Sequence, residues 1–363
     1  MKKTHFHSLH TALGAKMVSF AGFEMPIQYP KGIIHEHKVV RNAVGVFDVS
    51  HMGEFEVRGN DALAFLQKIS INDVSKLEKG KAQYSAMCYH DGGIVDDMLV
   101  YHCGDYYMMV VNGACEEKDW AWVQENAASF NDLTINNVSA EYSLLAVQGP
   151  KSLDVIAKLT DTAITEIPYY HFTFGTCCGE DMILSRTGYT GEIGMELYFK
   201  GGEDIAKKVW DALFEAGAEF GIEAIGLGAR DTLRLEKGYC LYGNDIDNTT
   251  NPLEAGLGWI TKIQKGDFNG KDTIVAVKTN GMQRKLVGFT MQTEKLLPRQ
   301  HYKIMANGTE IGEITSGNLS PSLGKGIGLG YVAVEYSAPG TQIEIAARNT
   351  TFPAEVTKIP FLA

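Results

Sequence analysis

Positive charge is scarce in this chain. Against 44 Asp+Glu stand 33 Lys+Arg, a net charge of −11 over 363 residues. A surface of that sign repels phosphate backbones, which excludes generic nucleic-acid binding and leaves only a locally basic pocket for anions. No run reaches the roughly 18 apolar residues that a membrane-spanning helix needs. The basic start Met1-Lys2-Lys3 is not followed by the apolar stretch of a signal peptide. The expectation is a cytoplasmic chain that does not engage membranes. The six cysteines are too few for a disulfide scaffold. Cys177 and Cys178 are adjacent, and no CxxC spacing occurs, so zinc is disfavoured. His35-Glu36-His37 is not HExxH, and His5, His7 and His10 fall near a terminus expected to be mobile. No metal is expected. A GxSxG elbow is missing, as is any Ser-His-Asp order. Gly226-Leu227-Gly228-Ala229-Arg230-Asp231 ends in aspartate where a dinucleotide fingerprint needs glycine. In Gly324-Lys325-Gly326, Gly326 stands where a Walker loop needs Ser or Thr, so this segment reads as a turn into a strand.

What is present is an ordinary globular composition, 45% hydrophobic and 21% charged, in a chain longer than one core usually covers. Strands and helices alternate irregularly, which predicts an α+β fold rather than a regular βαβ series. Asn60 or Asp61 is placed to cap a helix carrying Leu63, Phe65, Leu66 and Ile69. A second helix is predicted over 203–218, with Ile205, Val209, Trp210, Leu213 and Phe214 on one side. A third starts near Gly228 and carries Ala229, Leu233 and Leu235. After a polar, turn-rich break at 264–272 come short β-runs at 286–291, 302–306, 309–315, 328–334 and 342–347. Their spacing predicts a small all-β barrel. We therefore divide the chain into a large α+β domain, 1–275, and a β-domain, 280–361.

Two segments carry candidate chemistry. In the first, Gly104-Asp105 suits a two-residue hairpin loop. That loop pairs Cys103 with Tyr106 and sets Asp97 opposite Asn112. Alternation then puts Asp97, Leu99 and Tyr101 on one face, across from Met108, Val110 and Asn112. A carboxylate among apolar side chains is either tuned by desolvation or part of a solvated edge, and both readings stand at this point. In the second, 185–197, three glycines accompany Arg186, Tyr189, Glu192 and Glu196. The glycines admit close approach of a flat ligand, and Glu196 on a strand can accept two parallel N–H bonds. A tight turn with an acidic rim explains the same residues. Ahead of the third helix, backbone N–H groups and Arg230 suit an anion, and Arg230 beside Asp231 equally suits an ion pair.

These segments together resemble the T-protein family of the glycine cleavage system, the tetrahydrofolate-dependent aminomethyltransferases. The likeness runs through Phe20-Ala21-Gly22-Phe23-Glu24-Met25-Pro26, Gly45-Val46-Phe47-Asp48-Val49-Ser50-His51-Met52-Gly53 and Gly92-Gly93-Ile94-Val95-Asp96-Asp97. It continues in 185–196, 226–231, Leu241-Tyr242-Gly243-Asn244-Asp245 and Gly312-Glu313-Ile314-Thr315-Ser316-Gly317-Asn318-Leu319-Ser320-Pro321. The resemblance implies a multi-lobed folate-binding domain followed by a C-terminal β-barrel. It implies transfer of a one-carbon unit from the S-aminomethyl-dihydrolipoyl arm of the H-protein to tetrahydrofolate. It matches Asp97 to the family's key carboxylate and Glu196 to its pterin-edge acceptor. Tyr84, Tyr101, Tyr170 and Tyr189 match an aromatic wall, Asn112 a pterin or Asp97 partner, and Arg230 the group that meets the glutamyl tail. Met52, Leu99 and Trp259 match pocket-lining positions. The family's aromatic and basic C-terminal extension is not seen beyond Ile359-Pro360-Phe361-Leu362-Ala363, so tail binding is expected to be weaker or to use another side chain. Lys237-Gly238-Tyr239-Cys240 partly echoes folate-binding relatives that maintain iron–sulfur proteins, which supplies the alternative reading: folate binding without aminomethyl turnover. Candidate cations for meeting an acidic H-protein are Lys2, Lys3, Lys38, Arg41, Lys285 and Arg299.

Overall fold

The computed structural model describes residues 1–362. The chain forms two compact units. The first holds residues 1–66, 74–84 and 98–231, and the second holds 67–73, 85–97 and 232–363. The fold is α+β with a closed C-terminal barrel.

The first unit is built on a six-stranded sheet in the order Phe172–Cys177, Glu180–Ser185, Gly194–Lys200, Tyr142–Gln148, Val44–Asp48, Ile222–Ala224. Its apolar face carries Val44, Val46, Leu145, Val147, Leu184, Met195 and Leu197, all fully buried. The Glu203–Gly217 helix covers them, burying Ala206, Val209, Trp210 and Leu213 while Ile205 and Phe214 pack at the margin. That is the stripe expected from the sequence.

The N-terminal segment, expected from its position to be mobile, is tied into the first unit through His10 and Thr4. His10 is fully buried, with Nε2 3.0 Å from Asp48 Oδ2 and Nδ1 2.9 Å from Tyr29 Oη. Thr4 donates to the same Asp48 oxygen at 2.6 Å. A buried carboxylate with two donors is strongly held, so the first turn of chain becomes part of the core. The Asp61 carboxylate, just ahead of the Ala62–Ile69 helix, accepts the N–H groups of Asn131 and Asp132 at 3.1 and 3.0 Å.

A second sheet has the strand order Ala82–Cys88, Ile94–His102, Tyr107–Val111, Gly53–Arg58, Thr134–Asn137. The Gly104-Asp105 loop closes as expected, with Cys103 N–H on the Tyr106 carbonyl at 2.9 Å. The pairs Leu99↔Val110 and Tyr101↔Met108 follow in the anticipated register.

The barrel of the second unit closes in the order Arg284–Met291, Lys325–Ala333, Thr309–Ser320, Lys303–Ala306, Gln342–Ala347, Thr350–Thr357. Five strands were foreseen; the sixth, Thr350–Thr357, was not. Pro353 argues against a central strand because it lacks a ladder donor. Here it pairs with Glu344 on one side, while on the other its carbonyl accepts from Gln292 N–H at 2.9 Å and strand pairing to Arg284–Met291 begins at Ala354.

Candidate functional site

The first unit holds a polar cluster centred on Glu196. Glu196 lies on a strand between Ser185 and Ala146, its direct neighbours in the sheet. Thr187 donates to Glu196 Oε2, and Tyr198 Oη reaches the same oxygen at 3.5 Å. Behind them, Tyr101 Oη lies 3.1 Å from Ser185 Oγ, 3.2 Å from Thr187 Oγ1 and 3.1 Å from Tyr198 Oη. Ser185 and Thr187 are 2.8 Å apart. Burial raises the Glu196 carboxyl above its ordinary range, while the Thr187 hydroxyl and the Arg230 charge pull it back. The Arg230 guanidinium stacks on the Tyr189 ring at 4.6 Å. Tyr101 is itself fully buried, so it supports the cluster from behind instead of presenting a ring at the surface.

Two glycines of this segment make room for a buried side chain. A Cβ on Gly188 would lie 2.1 Å from Gln148 Oε1, and one on Gly194 would lie 2.4 Å from Gln148 Nε2. Buried Gln148 donates to the Thr187 carbonyl at 3.2 Å and accepts from Thr190 Oγ1 at 2.9 Å. Arg41 holds the far side of the same loop, donating to Glu192 and to the Thr190 carbonyl at 2.8 and 2.7 Å. It is thereby committed within its own unit. Gly226 and Gly228 likewise admit Ile27 and Ile33 at 2.5 Å. The Gly226 N–H is taken by buried Glu36 at 2.8 Å, so part of the helix start answers an internal carboxylate.

Two buried groups nearby were missed from sequence. His51 has no hydrogen-bond partner at Nδ1, and burial, reinforced by the Arg230 charge, pushes it down to about 4, so it is neutral at physiological pH. Glu54 is 1% exposed, on a strand directly opposite Val110. Burial pushes its carboxyl well above the ordinary range, and the charges of Glu116 and Glu196 add to that. Only their place beside Met52 in the chain could have flagged them.

Asp97 belongs to the second unit. Asp96 is fully buried and Asp97 half-buried, so the pair is not a solvated edge. The chain leading to Asp97 is clamped by the 242–250 segment. Ile94 N–H points to the carbonyls of Asp247 and Thr250 at 3.1 and 3.2 Å, and Tyr242 Oη donates to the Ile94 carbonyl at 3.0 Å. Gly93 makes this approach possible, since a Cβ there would sit 2.0 Å from the Asn248 carbonyl oxygen. Burial raises the Cys240 thiol well above its ordinary value, with Asp245 and Asp97 contributing.

The 242–245 segment is anchored in turn by Asp245. Fully buried, it receives Arg234 Nη1 at 2.6 Å, Leu241 N–H at 3.0 Å, Ser316 Oγ at 2.9 Å and Thr315 Oγ1 at 2.5 Å. Consecutive strand residues ordinarily face opposite ways. A register shift between Ile314 and Ser316 lets both hydroxyls reach one carboxylate, the usual effect of a bulge.

The remaining positions named from sequence are distributed as follows. Met52, Tyr84, Leu99, Asn112, Tyr170, Tyr189 and Arg230 are half-buried in the first unit, and Trp259 in the second is 63% exposed. Tyr170 holds a left-handed backbone, φ 60°, a strained state that tends to occur at functional positions.

The family model of the GCVT N-terminal domain matches residues 6–265, and that of the glycine cleavage T-protein C-terminal barrel domain matches 284–362. The chain belongs to the glycine cleavage T-protein family. It is 54% identical to an aminomethyltransferase of Chloroherpeton thalassium, over 100% of this chain and 99% of that one. It is 50% identical to one from Halothermothrix orenii, over the full length of both. The crystal structure of the glycine cleavage system aminomethyltransferase T from Bartonella henselae superposes with a TM-score of 0.92 at 31% identity, over 99% of this chain and 98% of that one. As a family member the protein is an enzyme of the transferase class.

Proposed function

We propose that the protein transfers the one-carbon unit of S-aminomethyl-dihydrolipoyl H-protein to tetrahydrofolate. The products are 5,10-methylenetetrahydrofolate, ammonia and the dihydrolipoyl arm. The observation that carries the reading is the full-length likeness to proteins named aminomethyltransferase, 54% identical end to end. Within the chain, the Glu196 cluster suits the amino-pyrimidine edge of a pterin. Its hydroxyls engage Oε2, leaving Oε1 for ligand N–H groups. Arg230 and Tyr189 supply a cation and a ring for the conjugated, anionic part of folate.

In this reading Asp97 serves the reacting carbon. The carbon between sulfur and nitrogen gains positive charge as the C–S or C–N bond loosens. A fixed carboxylate stabilises that charge, and it can also relay the protons that leave folate nitrogen and arrive on ammonia and thiol. The clamp at Ile94 serves to hold the carboxylate in place, because electrostatic catalysis requires groups that do not reorganise. Met52, Tyr84, Leu99, Asn112, Tyr170 and Trp259 are read as further ligand-contacting positions from the family resemblance alone.

Ammonia release from purified aminomethylated H-protein, measured with and without tetrahydrofolate, tests the proposal. Folate-dependent release is expected. Folate binding without any stimulated release would transfer the protein to the alternative reading, that of a folate-binding maintenance protein.

A further inference from the structure

The hydroxyls behind Glu196 have a direction. An ionised carboxylate only accepts, and each hydroxyl has one proton to give. Thr187 spends its proton on Glu196 Oε2, so it can only accept from Ser185 at 2.8 Å and Tyr101 at 3.2 Å. Tyr198 stands 3.1 Å from Tyr101 and 3.5 Å from Glu196 Oε2. The donors therefore run from the buried interior toward one carboxylate oxygen, each polarising the next. Neutral Glu196 would reverse the last link and would be a weaker acceptor for ligand N–H groups at Oε1.

We propose that Thr187, backed by Tyr101 and Ser185, is a positioning residue that fixes Glu196 in one orientation and keeps it ionised, so that Oε1 faces the ligand. This rests on the reading of Glu196 as the pterin acceptor. The charged and titratable groups that act on Glu196, or feel it, come from four elements: Arg230 on the Leu227–Glu236 helix, Tyr101 on Ile94–His102, Tyr198 on its own strand and Glu54 on Gly53–Arg58. Arg230 favours the ionised form. Glu54 opposes it only when itself charged, which burial disfavours.

The test is equilibrium binding of tetrahydrofolate to the whole protein between about pH 5 and about pH 8, with steady-state kinetics alongside. Thr187→Val keeps the shape and removes the donor. It should weaken binding about tenfold, as expected for loss of a hydrogen bond to a charged group. It should also move the acid limb of the affinity profile to higher pH and raise KM far more than it lowers kcat. Thr187→Ser should restore both affinity and profile. Tyr101→Phe, one bond further back, should shift the profile the same way by less, and it carries the comparison if the valine variant does not fold. Wild-type affinity with an unmoved acid limb in Thr187→Val, or in Tyr101→Phe if that variant stands in for it, would overturn the inference provided Glu196→Gln binds weakly. If Glu196→Gln also binds normally, it is the reading of Glu196 as acceptor that fails, and the inference falls with it.

Discussion

Replacing Gly93 by alanine brings a methyl carbon to 2.0 Å from the Asn248 carbonyl oxygen and 2.8 Å from its carbon. Real Cβ atoms essentially never come closer than 3.0 Å, so the gap must open by at least 3.0 − 2.0 = 1.0 Å. Both sides are backbone, and no rotamer change relieves the contact. Ile94, the next residue, is tied to Asp247, Thr250 and Tyr242, so opening the gap strains or breaks that clamp. The stability cost of such overpacking is about 1–3 kcal/mol. The catalytic cost is larger in proportion. Asp97 follows Ile94 by three positions on the Ile94–His102 strand, and a displacement near 1 Å in a catalytic group costs on the order of 10²-fold in rate. Folate-dependent ammonia release should therefore fall about a hundredfold in kcat, while tetrahydrofolate affinity, assigned chiefly to Glu196, Arg230 and Tyr189, stays near wild type. Gly202→Ala, where an added Cβ meets nothing within 4 Å, is the control. A folded Gly93→Ala enzyme with undiminished kcat would refute the claim that the clamp positions Asp97.

Asp245→Asn removes the carboxylate charge that meets Arg234 Nη1 at 2.6 Å and should cost about 3–5 kcal/mol in urea denaturation; a loss below about 1 kcal/mol would show that the pair is not structurally important. Glu54 keeps its proton in the folded state above the ordinary 4.5, whereas the unfolded chain gives it up. Wild-type stability should thus decline, by up to about 1.4 kcal/mol per pH unit, as pH rises from 4.5 toward the raised folded value. Glu54→Gln should remove that slope and stabilise the protein at neutral pH, and an unchanged pH dependence of the melting temperature would contradict it. Arg230→Ala should weaken a polyglutamylated folate more than a tail-less pterin, with both losses growing at acid pH because Arg230 helps keep Glu196 ionised. Equal, pH-independent losses would argue that Arg230 does not meet the tail.

Local signals were the legible ones. The Gly104-Asp105 loop fixed a hairpin register, and the apolar stripe of 203–218 announced its buried face, because turn chemistry and periodicity are written in neighbouring residues. Interactions across the chain were not. Nothing near Gly188 or Gly194 in sequence points to Gln148, 40 or more positions away, as the side chain for which they make room. The bulge that turns both Thr315 and Ser316 toward Asp245 breaks the strict alternation on which strand reading depends. His10 was misjudged because a position near the end of a chain suggests mobility, whereas Asp48 and Tyr29 bury it. The roles of Asp97 and Glu196 came from resemblance to a family; their surroundings in the structure explain how such roles would be supported.

Asp97→Asn keeps size and hydrogen-bonding capacity and removes the charge, so it isolates what the carboxylate does for the reacting carbon. Formation of 5,10-methylenetetrahydrofolate from aminomethylated H-protein should fall by at least about a hundredfold, the scale of general acid–base and electrostatic contributions, with tetrahydrofolate affinity retained. Near-wild-type turnover by a correctly folded Asp97→Asn protein would remove this carboxylate from the reaction.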